Sequence, residues 1–261
     1  MYQNQIWQIA IVGLSIVAAF AAYGCGGDDD SDEDEIAAVE AVVKEVAESD
    51  ASNAEYVFAH VTDRFLEALY FASRDECMAI PDECLGEPAV VESFADTEVN
   101  GDTATTVATL DFGTLEIGLV KEDGAWLLDT GGAASDDVPE GAATIELALN
   151  EFSFGLDRES IPAGGNFAFR AHNAGKQAHE VVVVRVPEGS SAEEAVGAVA
   201  EEEAPPVGFK VFIQPGQTVD MAFDTPLEAG SYVLVCFFPD VNDPEFTSHI
   251  EKGMVTEFVV H

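Results

Sequence analysis

Basic residues are scarce in this sequence: ten Lys and Arg stand against fifty Asp and Glu among 261 residues, a formal net charge of −40 at pH 7. Nucleic acids and anionic membrane surfaces are bound through basic patches, so this charge argues against both as partners. Charged residues make up only 23% of the chain and apolar residues 48%, which argues against a wholly disordered chain. The length suits one large domain or two modest ones, each with its own core.

Charge is absent altogether from residues 1–24, and the 18 residues from 6 to 23 are almost wholly apolar. An apolar N-terminal run that ends in small residues beside a lone cysteine is typical of an export signal. The stretch Ala22-Tyr23-Gly24-Cys25 resembles the lipobox of bacterial lipoproteins, which implies a signal peptide over 1–24 and lipid on Cys25. The alternative is an uncleaved transmembrane anchor, because the run is just long enough to span a bilayer. Both interpretations predict a protein held at the cell membrane on its extracytoplasmic face.

Composition divides the rest of the chain. Residues 26–35 carry seven acids in ten positions, and like charges at this density repel one another, which predicts an extended acidic tether over 25–35. A second break lies at residues 131–143, which are rich in Gly, Ala, Asp and Pro. The sequence therefore predicts one domain over 36–135 and another over 136–261.

The first predicted domain begins with helical periodicity and ends with short β-prone stretches. Apolar residues recur at helical spacing in two groups, Ile36, Val39, Val43 and Val46, then Phe58, Val61, Phe65 and Leu69. After residue 88 come strand-like runs, and Glu122-Asp123-Gly124 predicts a turn before Trp126. Two helices followed by a curled antiparallel sheet resemble the NTF2-like (SnoaL-like) α+β cone. We find no catalytic pair of side chains in this part of the sequence.

Cys77 and Cys84 lie close together around Pro81. Outside the cytoplasm, nearby cysteines in a loop usually pair, so we predict a structural disulfide between them.

The second predicted domain consists of many short apolar or alternating stretches that are separated by Gly- and Pro-containing turns. This pattern predicts an antiparallel β-sandwich, interrupted by a short helix that begins near Ser190.

Cys236 is left over once lipid and disulfide account for the other three cysteines, and a leftover thiol in an oxidising compartment needs a reason. It begins the pattern Cys236-x12-His249-x4-Met254, and His179 opens an apolar run upstream. Thiolate and thioether sulfur suit Cu(I), whereas imidazole suits Cu(II). One thiolate, two imidazoles and a weak axial thioether are the donor set of type 1 copper.

The sequences around these residues resemble those of the cupredoxins, the plastocyanin- and azurin-like copper proteins. NAGKQAHEVVVV resembles the loop and strand that bear the first histidine, LEAGSYVLVCFFPD the strand that delivers the cysteine, and HIEKGM the plastocyanin spacing of histidine and methionine. The resemblance covers residues 143–261. It implies an all-β Greek-key β-sandwich that binds one copper through His179, Cys236, His249 and Met254.

Two departures from the cupredoxin pattern leave questions open. The twelve residues between Cys236 and His249 are more than plastocyanin has, so they either wall off the site or leave His249 unheld. In addition, Glu180 stands where plastocyanin has an asparagine after its first histidine, which leaves the tuning of the thiolate open.

We therefore expect an exported copper protein that transfers single electrons to or from an unidentified redox partner, rather than an enzyme. The alternatives are a copper chaperone or scavenger without redox cycling, and a cupredoxin-like interaction module that binds no metal.

Overall fold

The computed structural model describes residues 30–158, 160–162, 166–189, 194, 197, 205–223 and 225–261. The predicted signal segment, Cys25 and most of the helix predicted near Ser190 lie outside these residues. No helix in the described ranges is long and apolar enough to cross a membrane. The described chain divides into two compact units, one ending at Gly131 and the other running from Gly132 to His261.

The first unit contains helices and then a four-stranded sheet. Its helices are α1 (Asp30–Ala47), α2 (Ala54–Ala59), α3 (Asp63–Phe65), α4 (Arg74–Ala79) and α5 (Pro81–Leu85), with a 3-10 turn at Ala51–Asn53 and a π-helical turn at Leu66–Tyr70. Its strands, antiparallel and in sequential order, are β1 (Val91–Asn100), β2 (Thr103–Leu110), β3 (Gly113–Glu122) and β4 (Ala125–Ala133).

Helix α1 begins earlier than the sequence predicts. Asp30–Glu35, predicted as part of the extended tether, form its first turns. Glu35 also accepts hydrogen bonds from Lys121 Nζ at 2.7 Å and from Trp126 Nε1 at 3.0 Å. The acidic run is therefore helical from Asp30 onward.

The second predicted helix is wrong as a continuous element. The chain leaves α2 at His60, whose carbonyl accepts from Leu128 N at 2.9 Å, while Thr62 N donates to Leu128 O at 2.8 Å. Thr62 then caps α3 by accepting from Phe65 N at 3.2 Å. Residues 60–62 thus bond to β4 instead of completing a helical turn.

The structure contains the disulfide between Cys77 and Cys84, but the two cysteines lie on helices rather than in a loop. Ser73 and Glu76 form a capping box that starts α4, and Pro81 starts α5. Both cysteines are buried.

The second unit is a sandwich of two sheets. Its strands are β5 (Ala143–Asn150), β6 (Ser153–Leu156), β7 (Ser160–Ile161), β8 (Phe167–Asn173), β9 (His179–Val186), β10 (Pro206–Ile213), β11 (Thr218–Ala222), β12 (Gly230–Val235) and β13 (Val255–Val260). One sheet has the order β11-β8-β5-β6 and the other the order β10-β9-β12-β13-β7. Phe169 and Phe258, one from each sheet, meet edge to face with ring centroids 5.6 Å apart in the core.

The predicted β-sandwich is present, but its sheets are mixed rather than antiparallel. Strand β5 pairs with β8 in parallel, and β13 pairs with β7 in parallel. The parallel pairs arise because the chain crosses to the edge of the five-stranded sheet at β7 and returns beside β5 at β8. The NTF2-like α+β cone predicted for the first unit is not confirmed; the structure shows helices followed by an antiparallel four-stranded sheet.

Candidate metal centre

The strand order places three of the four predicted metal-binding residues at one end of the five-stranded sheet. Strand β12 lies between β9 and β13 and is antiparallel to both, with Val235 paired to Val182 and to Val255. The end of β12 therefore lies beside the beginnings of β9 and β13. His179 is the first residue of β9, Cys236 directly follows β12, and Met254 directly precedes β13.

His249 reaches the same place from a loop. Residues 237–248, here called the long loop, connect Cys236 to His249. His249 N donates to Phe238 O at 2.7 Å, and Met254 N donates to His249 O at 2.9 Å. Cys236 N donates to Met254 O at 3.3 Å, so the backbone of Met254 is bonded to both Cys236 and His249.

The side-chain donors converge in the interior. Cys236 Sγ lies 3.4 Å from His249 Nδ1 and 4.0 Å from His179 Nδ1. The two Nδ1 atoms are 3.1 Å apart, and all three donors lie within 4.8 Å of one another. All four predicted residues are fully buried. The cluster is therefore closed to bulk solvent on every side.

The protonation states of the imidazoles favour metal binding. Burial lowers the pKa of His179 to about 4, with a further lowering by His249 and an opposing effect of Glu151. Burial likewise lowers the pKa of His249 to about 4. At neutral pH both rings are uncharged, and each has a nitrogen lone pair to offer. Neither Nε2 atom has a hydrogen-bond partner among the described residues.

The thiol of Cys236 is protonated in the absence of a metal. Its burial, and next the charge of Glu180, raise its pKa well above the ordinary value of 9.0. A metal that binds here must displace that proton, so binding releases it to solvent and strengthens as the pH rises. The backbone N–H of Glu180 points at Sγ from 3.4 Å and supplies a hydrogen bond to the sulfur.

Glu180, which stands where plastocyanin has an asparagine, bonds to the segment that bears the cysteine. Its Oε1 accepts a hydrogen bond from Phe237 N at 2.6 Å and thereby fixes the backbone directly after Cys236. Burial raises the pKa of this carboxyl to about 7, against the opposing hydrogen bonds from the backbone of Phe237 and Phe238. The glutamate thus bonds to the cysteine-bearing segment at the position where an asparagine was expected.

The first histidine is held by a compact turn. Asn173, which is fully buried, donates to Gln177 O at 2.8 Å and to Ile213 O at 2.7 Å, and accepts from Gly175 N at 2.9 Å. These bonds shape residues 174–178, here called the first loop. A Cβ on Gly175 would lie 3.0 Å from His179 Nε2, so glycine leaves room for the ring.

The long loop holds His249, whose backbone N donates to Phe238 O at 2.7 Å. Asp240 N donates to Thr247 O at 3.0 Å, which closes the loop on itself. The ring of Phe152 covers His249 edge to face, with centroids 5.2 Å apart. Gln177 and Asp240 bond to each other across the two loops. The sequence does not indicate this contact, because the two residues lie 63 positions apart and follow no local pattern.

His172 and His261, which the sequence analysis did not assign to the site, lie elsewhere. His172 Nδ1 bonds to Thr218 Oγ1 at 2.9 Å, and His261 Nδ1 bonds to Ser160 Oγ at 3.0 Å. Met221 is buried on β11 of the other sheet.

No protein-family model and no curated protein matches the chain. Among solved structures, reduced auracyanin from the photosynthetic bacterium Roseiflexus castenholzii is 24% identical over 46% of this chain and 99% of its own, with a TM-score of 0.32. Auracyanin A, a "blue" copper protein from Chloroflexus aurantiacus, is 21% identical over 46% of this chain and 100% of its own, with a TM-score of 0.31. The McoA multicopper oxidase from Aquifex aeolicus is 16% identical over 66% of this chain and 49% of its own, with a TM-score of 0.30. With TM-scores this low, the inference of a metal rests on the donor atoms of this chain.

Proposed function

We propose that the second unit binds one copper ion in a type 1 site and that the protein is a one-electron carrier. The observation that carries the proposal is the convergence of Cys236 Sγ with the Nδ1 atoms of His179 and His249 in a fully buried cluster. The backbone of buried Met254 is bonded to both Cys236 and His249. Two neutral imidazoles, a thiol and a thioether fit copper better than Mg²⁺ or Ca²⁺, which require oxygen donors.

Copper bound here would supply a one-electron change between Cu(II) and Cu(I). The residues of the chain supply the donor atoms, exclude water and hold the donors in position. Cys236 and Met254 provide soft sulfur for Cu(I), and the imidazoles suit Cu(II). Burial excludes water, and the hydrogen bonds to Glu180 and Asn173 keep the donors in place. A site that changes little between the two states loses little free energy to reorganisation on electron transfer.

We also propose that the protein acts outside the cytoplasm, tethered to the membrane through Cys25 or an N-terminal anchor, and exchanges electrons with a protein partner. The support is the uncharged, apolar character of residues 1–24 and the disulfide of the first unit, since disulfides persist in oxidising compartments. The helices and antiparallel sheet of the first unit are compatible with an NTF2-like domain.

The test is titration of the reduced, metal-free full chain with Cu(II), followed by visible absorption and electron paramagnetic resonance. We expect one equivalent to bind with an intense thiolate-to-copper band and small hyperfine splitting. The variant Cys236→Ser should lose the band, whereas His172→Gln, which removes an exposed histidine, should keep it.

The other outcomes distinguish the alternatives. Tight Cu(I) binding without the band would favour a chaperone or scavenger. Absence of any copper binding by a folded chain with a free Cys236 thiol would leave an interaction module and refute the proposal.

A further inference from the structure

Two buried polar side chains connect the loops that carry the two histidines. Gln177 belongs to the first loop and is 7% exposed, and Asp240 belongs to the long loop and is 6% exposed. Gln177 Nε2 donates to Asp240 Oδ1 at 2.9 Å, and Gln177 Oε1 accepts from Val241 N at 2.8 Å. The amide of Gln177 thus makes a reciprocal pair of hydrogen bonds with the long loop.

Asp240 is itself held from the other side. Its Oδ1 also accepts from Asn242 N at 2.9 Å, and its Oδ2 accepts from Lys252 Nζ at 2.6 Å. Lys252 is three residues beyond His249 and also pairs with Asp243 Oδ2 at 2.7 Å. Asp240 therefore joins Gln177, which precedes His179 by two residues, to the segment that follows His249.

The hydrogen bonds between Gln177 and the long loop affect the distances between the metal-donor atoms as well as the shape of the loop. The backbone bonds within the long loop, such as Asp240 N to Thr247 O, give the loop its shape but do not set its distance from His179. Gln177 contributes to that distance together with Glu180, which accepts from Phe237 N. The backbone carbonyl of Gln177 accepts from Asn173, and its side-chain amide bonds to the long loop. Burying an amide and a carboxylate is unfavourable unless both are satisfied, as they are here.

We infer that Gln177 and Asp240 are a positioning pair, which fixes His249 Nδ1 opposite Cys236 Sγ and His179 Nδ1 despite the length of the long loop. The inference rests on the proposed copper site. Residues that orient metal ligands in this way typically change metal affinity by about 10- to 100-fold when they are replaced.

The test compares four variants of the full chain with the parent. Gln177→Ala removes both hydrogen bonds, and Gln177→Glu places a carboxylate against that of Asp240. The double variant Gln177→Glu/Asp240→Asn keeps the total charge and removes the repulsion between the two carboxylates, but its new amide NH2 cannot accept the hydrogen bond from Asn242 N. Tyr232→Phe is the control, because it removes a hydrogen bond to Glu228 O of 2.8 Å from β12, the strand that precedes Cys236.

Two measurements are made on each variant. The first is Cu(II) affinity together with the absorption and hyperfine pattern of the copper-loaded chain. The second is hydrogen exchange of the metal-free chain, read in peptides that cover residues 237–249. We expect both single variants at Gln177 to bind copper about 10- to 100-fold more weakly, with an altered hyperfine pattern and faster exchange in the long loop. The double variant should recover part of the loss caused by Gln177→Glu, and Tyr232→Phe should retain the parent spectrum.

Parental affinity, spectrum and exchange in Gln177→Ala would overturn the inference and leave the copper site standing. Equal spectral change in Tyr232→Phe would also overturn it, because the effect would then be one of general stability. Failure of the parent chain to form the coloured copper complex would instead refute the proposed function, and the exchange data on the metal-free chain would still decide whether the pair holds the loop.

Discussion

The low pKa values of the two buried histidines predict that the second unit of the metal-free protein loses stability as the pH falls from about 6.5 toward about 4. In the folded chain the pKa of each ring is about 4, below its ordinary value of 6.5. Between these values the unfolded chain binds protons that the folded chain does not. The free energy of unfolding therefore rises with pH across this window and is lost as the pH falls through it.

The magnitude follows from the number of protons. Each histidine that is neutral when folded and protonated when unfolded contributes a slope of about 1.4 kcal/mol per pH unit. Glu180 acts in the opposite direction, because its folded pKa is raised to about 7 and protonation of its carboxyl then favours the folded chain. Replacing one ring with an amide that does not titrate, His249→Gln, removes one histidine contribution and leaves the carboxylates unchanged. The slope of the variant should therefore be lower by about 1.4 kcal/mol per pH unit.

The assay needs a reporter that lies in the second unit and works at low pH. Met221 is 1% exposed in the sandwich, so its oxidation by peroxide in increasing urea reports unfolding of that unit, and mass spectrometry reads the product. Met78 is 57% exposed in the first unit and serves as the internal control for reagent strength. Chelator is present throughout. Identical slopes for the parent and His249→Gln between pH 4.5 and 6 would refute the reasoning, since His249 would then titrate in the folded chain as it does in the unfolded one.

Three further predictions concern other parts of the chain. Gly175→Ala should weaken Cu(II) binding about tenfold in an equilibrium titration, because the added Cβ would lie 3.0 Å from His179 Nε2 and too close to Glu151 Oε1. An affinity equal to that of the parent chain would contradict the assigned position of the His179 ring. Lys210→Met should lower the free energy of unfolding of the second unit by about 2 kcal/mol in urea, because the buried ammonium donates to Ala134 O at 2.8 Å and to Asp136 Oδ1 at 2.5 Å. The control Lys176→Met, which removes an exposed lysine, should leave the stability unchanged. Equal losses in the two variants would show that the change in net charge is the cause. Replacing Cys77 and Cys84 with serine should destabilise the first unit by about 2 kcal/mol, measured through the fluorescence of buried Trp126, and the copper spectrum should not change; unaltered stability would show that the bond does not constrain the unfolded chain.

Local patterns in the sequence predict the parts of the first unit that depend on near neighbours. Val39, Val43 and Val46 are buried on α1, as their helical spacing indicates. The second helix fails because Val61 forms a bridge with Leu128, a residue 67 positions away that no local pattern reveals. The short helix α4, by contrast, could have been found, since Ser73 and Glu76 show a capping box in the sequence.

The same distinction applies to the second unit. Its strands were predictable from alternation and turns, but the parallel pairing of β5 with β8 depends on where the chain crosses between the sheets. The structure brings together His179, Cys236 and His249, which were proposed as donors from residue type and spacing. The supporting groups were not proposed, because Gln177 and Asp240 are common polar residues whose role appears only once β9 and β12 are neighbours.

The length of the long loop is the reason in the sequence to question His249 as a donor. The free-energy cost of a longer loop is small, however. Loop-closure entropy grows slowly, by about 0.6 kcal/mol for each doubling of loop length. Lengthening a short connection to twelve residues therefore costs roughly 1 kcal/mol. A hydrogen bond inside a protein contributes about 1 kcal/mol, and the long loop receives bonds from Gln177 and Lys252 as well as its own backbone bond to Thr247. These bonds together offset the added entropy. The position of His249 accordingly depends on the side chains that bond to the loop as well as on its own backbone bonds. A substitution at Gln177 should therefore change the copper spectrum more than the removal of a residue from the exposed tip at Glu245.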